Sequence, residues 1–182
     1  MQTIKAAVCH EFGAPLVIED IQLRTPKEGE VEVKLHAVAI CKTDSAVGET
    51  VQSVEVGDHV VVTLIRACGT CPSCAGGKPT ICETPYDGDH GPIRTADDGM
   101  LHQAMACGAF AEKVIVDQSQ LVKVPASMPM DAASLIACGV ITGVGAVVNA
   151  AGLRAGQDVV VIGAGGVGLN AIQGARIAGA RR

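Results

Sequence analysis

Residues 68–82 read CGTCPSCAGGKPTIC, in which Cys68, Cys71, Cys74 and Cys82 are spaced C-x-x-C-x-x-C-x7-C. Four thiolates this close in sequence, separated by Gly, Pro and Ser, can fold one short loop around a single tetrahedral Zn²⁺. Sulfur ligands suit that metal, and four of them leave no open coordination position, so the ion would hold a loop in shape and do no chemistry. Two disulfides or four clustered reduced thiols are the other readings of the same spacing. Disulfides want an oxidising compartment. Nothing in the chain signals export, and that favours zinc.

Composition sets the frame around this loop. The chain has 182 residues, enough for one good core or for one domain and part of another. It is 48% apolar and 18% charged, ordinary for a globular protein and too apolar for disorder. Aromatics make up only 2%, namely Phe12, Phe110 and Tyr86, so the core is expected from Val, Ile, Leu and Ala. A net charge of −5 and the absence of a basic run beyond Arg181-Arg182 argue against nucleic acid or an anionic membrane surface as partner. No continuous apolar stretch marks the N-terminus as a leader, and the best apolar run, Val159–Leu169, is too short and glycine-broken to span a membrane. With eight cysteines and no export signal, a reduced cytoplasmic setting is expected.

The first two-thirds predict strands and turns. Val31, Val33, Leu35, Ala37 and Ala39 alternate with Glu32, Lys34 and His36, the period of a half-buried strand. Further strands are predicted at Ile4–Val8, Leu16–Ile21, Val60–Ile65, Lys113–Val116 and Leu121–Val124. Their spacing predicts a β-barrel or sandwich. Gly57-Asp58 signals a turn, and His36 and His59 read as solvent-facing or turn residues.

From Pro129 the pattern changes. Asp131 and Gly152 bracket an apolar helix interrupted near Gly139. The apolar run Val159–Ile162 then meets Gly163, Gly165 and Gly168, a G-x-G-x-x-G with an extra glycine at Gly166, and a helix whose face carries Val167, Ala171, Ala175 and Ala178. A glycine loop between a strand and a helix is the dinucleotide fingerprint: one glycine for the tight turn, one for approach of a pyrophosphate, one for close packing. No Asp or Glu follows Asp158, so NAD and NADP are not separated. One strand and one helix do not complete a doubly wound sheet.

Three motifs in order resemble one family, the zinc-dependent alcohol dehydrogenases of the medium-chain dehydrogenase/reductase family. They are ICKTD at 40–44, the four-cysteine loop, and ACGVITG at 137–143 followed by VVVIGAGGVGL; the opening KAAVCHEFGAPLVIEDI is also like these enzymes. The resemblance implies a mixed α/β fold. Residues 1–137 would form a GroES-like β-barrel catalytic domain with a structural-zinc lobe at 68–82, and 138–182 the truncated start of an NAD(P)-binding Rossmann domain. It implies that Cys41 and Cys138 bind a catalytic zinc, that Thr43 relays a proton, and that Asp44 supports the ligands. Lys42, Thr142, Gly163, Gly165, Gly166, Val167 and Gly168 would meet NAD or NADP. The substrate would be a small alcohol or aldehyde, and family members form homo-oligomers. The chain departs from the family where G-H-E, the source of the histidine ligand, should stand: Cys41 and Asp58 are only 17 positions apart. His10, His36, His59, His90 and His102 lack that motif. The expectation is therefore one structural zinc, a catalytic shell short of its histidine and little turnover. The alternative is a non-enzymatic zinc-stabilised module.

Overall fold

Strict alternation buries one face of β1 (Gln2–Val8), where Ile4, Ala6 and Val8 point inward while Thr3 and Lys5 are exposed. The computed structural model describes residues 1–37 and 46–182. These fall into two compact units, Met1–Ser134 and Leu135–Arg182.

In the first unit, β1 pairs antiparallel with β2 (Val17–Leu23), Gln2 opposite Leu23 and Val8 opposite Val17. β3 is Glu30–Lys34, β4 Ala46–Val47 and β5 Val60–Val62. β6 is Ile93–Thr95, β7 Lys113–Asp117 and β8 Leu121–Lys123. Among the described residues three small sheets result, with orders β1-β2-β6, β4-β3-β7 and β5-β8. Val31, Val33, Val60, Val62, Val114, Val116 and Leu121 form one buried cluster; Ile4, Ala6, Val8, Ile21, Leu23 and Ile115 form another. Each fully buried aliphatic side chain of this kind contributes roughly 1.5–3 kcal/mol, so a core nearly free of aromatics suffices.

Two buried glutamines join the sheets. Gln120 donates to the carbonyls of Thr63 (3.0 Å) and Ala106 (3.2 Å), and Gln103 to those of Ile115 (3.1 Å) and Cys107 (3.3 Å). This is why the strand predicted to run to Ile65 ends at Val62: past that point the Thr63 backbone bonds Gln120.

Glu32 departs from the alternation rule. It lies on the face predicted to be polar, yet it is only 3% exposed. Lys113 donates to its carboxylate at 2.8 Å and to Gln2 at 2.9 Å, and Gln2 bonds the same carboxylate. A buried carboxylate is tolerated only when paired, and removing one partner strands the other. Lys113→Met is therefore expected to destabilise the unit by about 3 kcal/mol, with Glu32→Leu added to it recovering most of the loss; chemical denaturation of the single and double variants measures this.

Glu30 gives a pH dependence. Burial raises its pKa, but the Arg24 fork (2.5 and 2.7 Å) and the Lys27 amide outweigh that and hold it below the ordinary 4.5. A carboxylate with a depressed folded pKa stabilises the fold above the unfolded value, and the contribution fades as pH falls through the folded one. Unfolding midpoints should therefore drop on acidification below pH 4.5, and Arg24→Ala should flatten that slope.

The second unit is helical. The run Met130–Ala150, which begins in the first unit, includes α2 (Met130–Leu135) and α3 (Ile141–Gly145), joined and followed by π-type turns at Ile136–Val140 and Ala146–Ala150. The interruption expected near Gly139 is this widened turn at Ile136–Val140, where α2 ends before α3 begins. The whole run also corrects the expectation that no apolar run is long enough to span a membrane: it is 21 residues and contains an 18-residue window of mean hydropathy 1.8, long and apolar enough by length and composition to cross one. Within the unit, α4 (Gly166–Ile177) lies against α3, where a Cβ at Gly143 would stand 2.4 Å from the Val167 carbonyl oxygen. Ala171 and Ala175 of the predicted face are buried with Val147; Val167 is 44% exposed.

Candidate functional site

The chain between Cys68 and Cys82 folds back on itself through α1 (Pro72–Ala75) and a 3₁₀ turn at Pro79–Ile81. Proline at the first helical position pre-sets the turn, and the Cys71 sulfur caps it by accepting from the Cys74 amide. The four sulfurs lie within 4.8 Å of one another. Cys68–Cys74 and Cys71–Cys82 are each 4.0 Å apart, and all four cysteines are free. A zinc tetrahedron with Zn–S of about 2.3 Å has S···S edges of about 3.8 Å, so the set fits that ion.

The loop is also built to hold negative sulfur. Cys68 Sγ accepts from the amides of Thr70 (3.4 Å) and Cys71 (3.2 Å), and Cys82 Sγ from the Cys68 amide (3.4 Å). The Thr84 hydroxyl, then the Cys71 and Thr70 amides, bring the Cys68 thiol down to about 5. Amide donors from Cys68 and Thr84 lower Cys82 as well. Cys74 goes the other way, pushed up to about 12 by burial, with hydrogen bonds among the neighbouring sulfurs adding to the rise. Four crowded thiols cannot all ionise without a cation among them, and metal binding must displace the remaining protons. Glu83 and Thr84, which support the loop, escape sequence reasoning because their one signal is adjacency to Cys82. Glu83 accepts from the Ser73 amide (3.1 Å) and hydroxyl (2.5 Å). Arg66–Asp117 (3.2 Å) and Ala67–Ser119 (3.0 Å) tie the lobe to the barrel.

The glycine loop has the local geometry its spacing predicts. Gly163 adopts φ +105°, which a side chain resists. A Cβ on Gly168 would stand 2.0 Å from the Gly163 carbonyl oxygen, so only glycine lets α4 start this close. Gly165 caps α4 without a side-chain hydrogen bond, and a Cβ there or at Gly166 meets open space. The first-turn amides are thus open to an anion. The preceding run Val159–Ile162 joins no sheet among the described residues. Val159 N–H donates to Arg182 O, and just before the run Gln157 O accepts from Arg181 N–H, both at 2.8 Å. Val160 and Ile162 are exposed.

Cys138 and Thr142 are four residues apart on one helix, hence on one face, and both are exposed. Cys41, Lys42, Thr43 and Asp44 lie outside the described residues. Among the described residues, the Cys68–Cys82 set is the one group of three or more close metal-ligating side chains. His36 is exposed, as read from sequence. His59 is half-buried, and its Nδ1 finds no partner among the described residues.

A barrel with a four-cysteine lobe, followed by a glycine loop opening a helix, defines a class of protein, and comparisons give the same class. Residues 45–126 match the model of the alcohol dehydrogenase GroES-like domain. An NDMA-dependent alcohol dehydrogenase of Amycolatopsis methanolica is 38% identical over 206 residues, covering 97% of this chain and 56% of that protein. An alcohol dehydrogenase zinc-binding domain protein from Burkholderia ambifaria superposes with a TM-score of 0.88 at 32% identity, covering 99% of this chain and 57% of that one. A benzyl alcohol dehydrogenase from Acinetobacter calcoaceticus gives 0.85 at 26%, covering 100% and 57%. Over nearly its whole length the chain is similar to zinc-dependent alcohol dehydrogenases of the medium-chain dehydrogenase/reductase family. Its fold is a GroES-like barrel followed by the first β-α unit of a Rossmann fold. It spans about half the length of the curated relatives it matches. The aligned stretch of the Amycolatopsis protein, 206 residues, exceeds the 182 of this chain, so at least 24 positions within it have no counterpart here.

Proposed function

We propose that this chain carries the framework of a zinc-dependent, NAD(P)-linked alcohol dehydrogenase, which oxidises an alcohol to an aldehyde or ketone. In this reading Cys68, Cys71, Cys74 and Cys82 hold a structural zinc, and Gly163–Gly168 receives the dinucleotide phosphates. The carrying observation is the open, uncapped start of α4 behind a glycine turn, in a chain that also has the four-sulfur lobe. By resemblance, Lys42 reaches the phosphates, Thr142 lies beside the nicotinamide, Thr43 passes the alcohol proton outward and Asp44 steadies the Cys41 ligand.

The sequence motifs fall one ligand short of a catalytic zinc. Such a site needs three protein ligands and one open position, and Cys41 with Cys138 supplies two. That shortfall favours a second reading, a zinc-stabilised module without turnover. Three measurements on the purified chain separate the two: zinc per chain, NAD(H) and NADP(H) affinity by fluorescence titration, and alcohol oxidation with added zinc. One zinc with saturable dinucleotide binding supports the framework reading. One zinc with no dinucleotide binding supports the module. Ordinary turnover with two zincs would show that a third ligand, with His59 the first to replace, completes the catalytic site.

A further inference from the structure

The first unit contains a cavity of about 630 Å³ that none of the candidate metal or nucleotide residues among the described residues lines. Its floor reaches the core at Ala6, Ile21 and Val114, which are 8%, 1% and 1% exposed. Val8 and Leu101 form part of its walls. Phe12, Leu16, Met100 and Phe110 line it too, and each stays exposed, Phe12 fully and Phe110 at 61%. Both phenylalanines of the chain thus border the same cavity. Leaving large apolar side chains in water forfeits burial energy, and a cluster of them around a concavity marks a binding surface.

We propose that this cavity binds an uncharged, apolar small molecule, an aryl or alkyl compound of naphthalene size or larger. The volume falls within the range of small-molecule sites, about 300–1,000 Å³. A flat protein face could cover the two phenylalanines but could not reach the floor at Ile21 and Val114. Charge points the same way. Among the described residues the one lysine at the edge, Lys113, is committed to Glu32 and Gln2, and the lining includes no arginine. His10 is held by Glu19 at 3.0 Å, and Glu11 lies on the border, so among the described residues an anionic ligand meets no free ammonium or guanidinium. This inference is independent of any dehydrogenase activity.

The neutral fluorophore N-phenyl-1-naphthylamine tests it, since its emission rises in apolar surroundings and the chain has no tryptophan to interfere. One saturable site per chain is expected. Phe110→Ser should weaken binding by about tenfold, the effect of losing one aromatic contact, and Val8→Phe should abolish it by filling the cavity. Ile177→Ser, on an exposed residue of the other unit, should leave the affinity unchanged. If Val8→Phe fails to fold, Phe110→Ser decides, because its side chain is largely exposed. Unsaturable emission, or an affinity unaffected by Phe110→Ser, overturns the proposal. So does light scattering that shows the phenylalanine face closed by a second copy of the chain.

Discussion

Replacing Cys74 by serine is expected to strip the zinc from the 68–82 lobe while leaving the barrel folded. A structural zinc site of this type is worth about 10–16 kcal/mol, so one of four ligands accounts for about 3 kcal/mol, or a weakening of about a hundredfold or more. Serine cannot replace the thiolate, because its hydroxyl stays protonated at neutral pH and lacks the softness the metal prefers. Damage should remain local, since none of the four cysteines belongs to either buried cluster of the barrel. Metal analysis should give one zinc per wild-type chain and little in the variant. Limited proteolysis should open new cuts between Cys68 and Cys82, with the rest of the first unit still resistant. A wild-type chain that is stable without metal and holds two disulfides here would sink the idea.

Gly168→Ala and Gly165→Ala should separate stability from dinucleotide binding. The Gly168 Cβ would press to 2.0 Å on the Gly163 oxygen, a backbone atom that cannot swing aside. The start of α4 must then back away from the loop, straining the contacts that Ala171 and Ala175 make with Val147. Overpacking of this kind costs about 1–3 kcal/mol, and more where backbone must shift. Stability and NAD(P)H affinity should fall together. At Gly165 a Cβ meets no protein atom within 4 Å and φ is an ordinary −74°, so melting should barely change. If a pyrophosphate occupies that open space, its affinity should still drop at least about tenfold, because the methyl group holds the phosphates off the amides. Undiminished dinucleotide affinity in Gly165→Ala would remove the phosphate from this loop.

The two candidate sites were legible because their chemistry is local. Cysteines within a 15-residue loop, and glycines between an apolar run and a helix, report on structure only a few bonds away. Long-range features were harder to see. Glu32 looked solvent-facing until Lys113, 81 residues on, was placed against it. β6 is three residues, Ile93–Thr95, too short to show alternation, and it exists because β2 offers it an edge. The run Val159–Ile162 has every local mark of a strand, yet strand character needs neighbours that the described residues do not supply. The interruption near Gly139 is legible from the glycine, whereas the π-type turns that carry the run on to Ala150, and the close approach of α4 at Gly143, depend on packing.

The strand pairings carry a consequence for synthesis. β3 is made early but pairs with β7, Glu30 opposite Asp117, and β5 waits for β8. Even β1 needs its bridge from Ala6 to Ala111. At about 5–20 residues per second on the ribosome, several seconds pass before Val31 and Val33 can be covered by their partners. Throughout that interval the nascent chain displays a valine-rich edge with no ladder, the kind of surface that chaperones shield. The four-cysteine lobe emerges midway and can close on metal by itself, so it can be ordered before the barrel is.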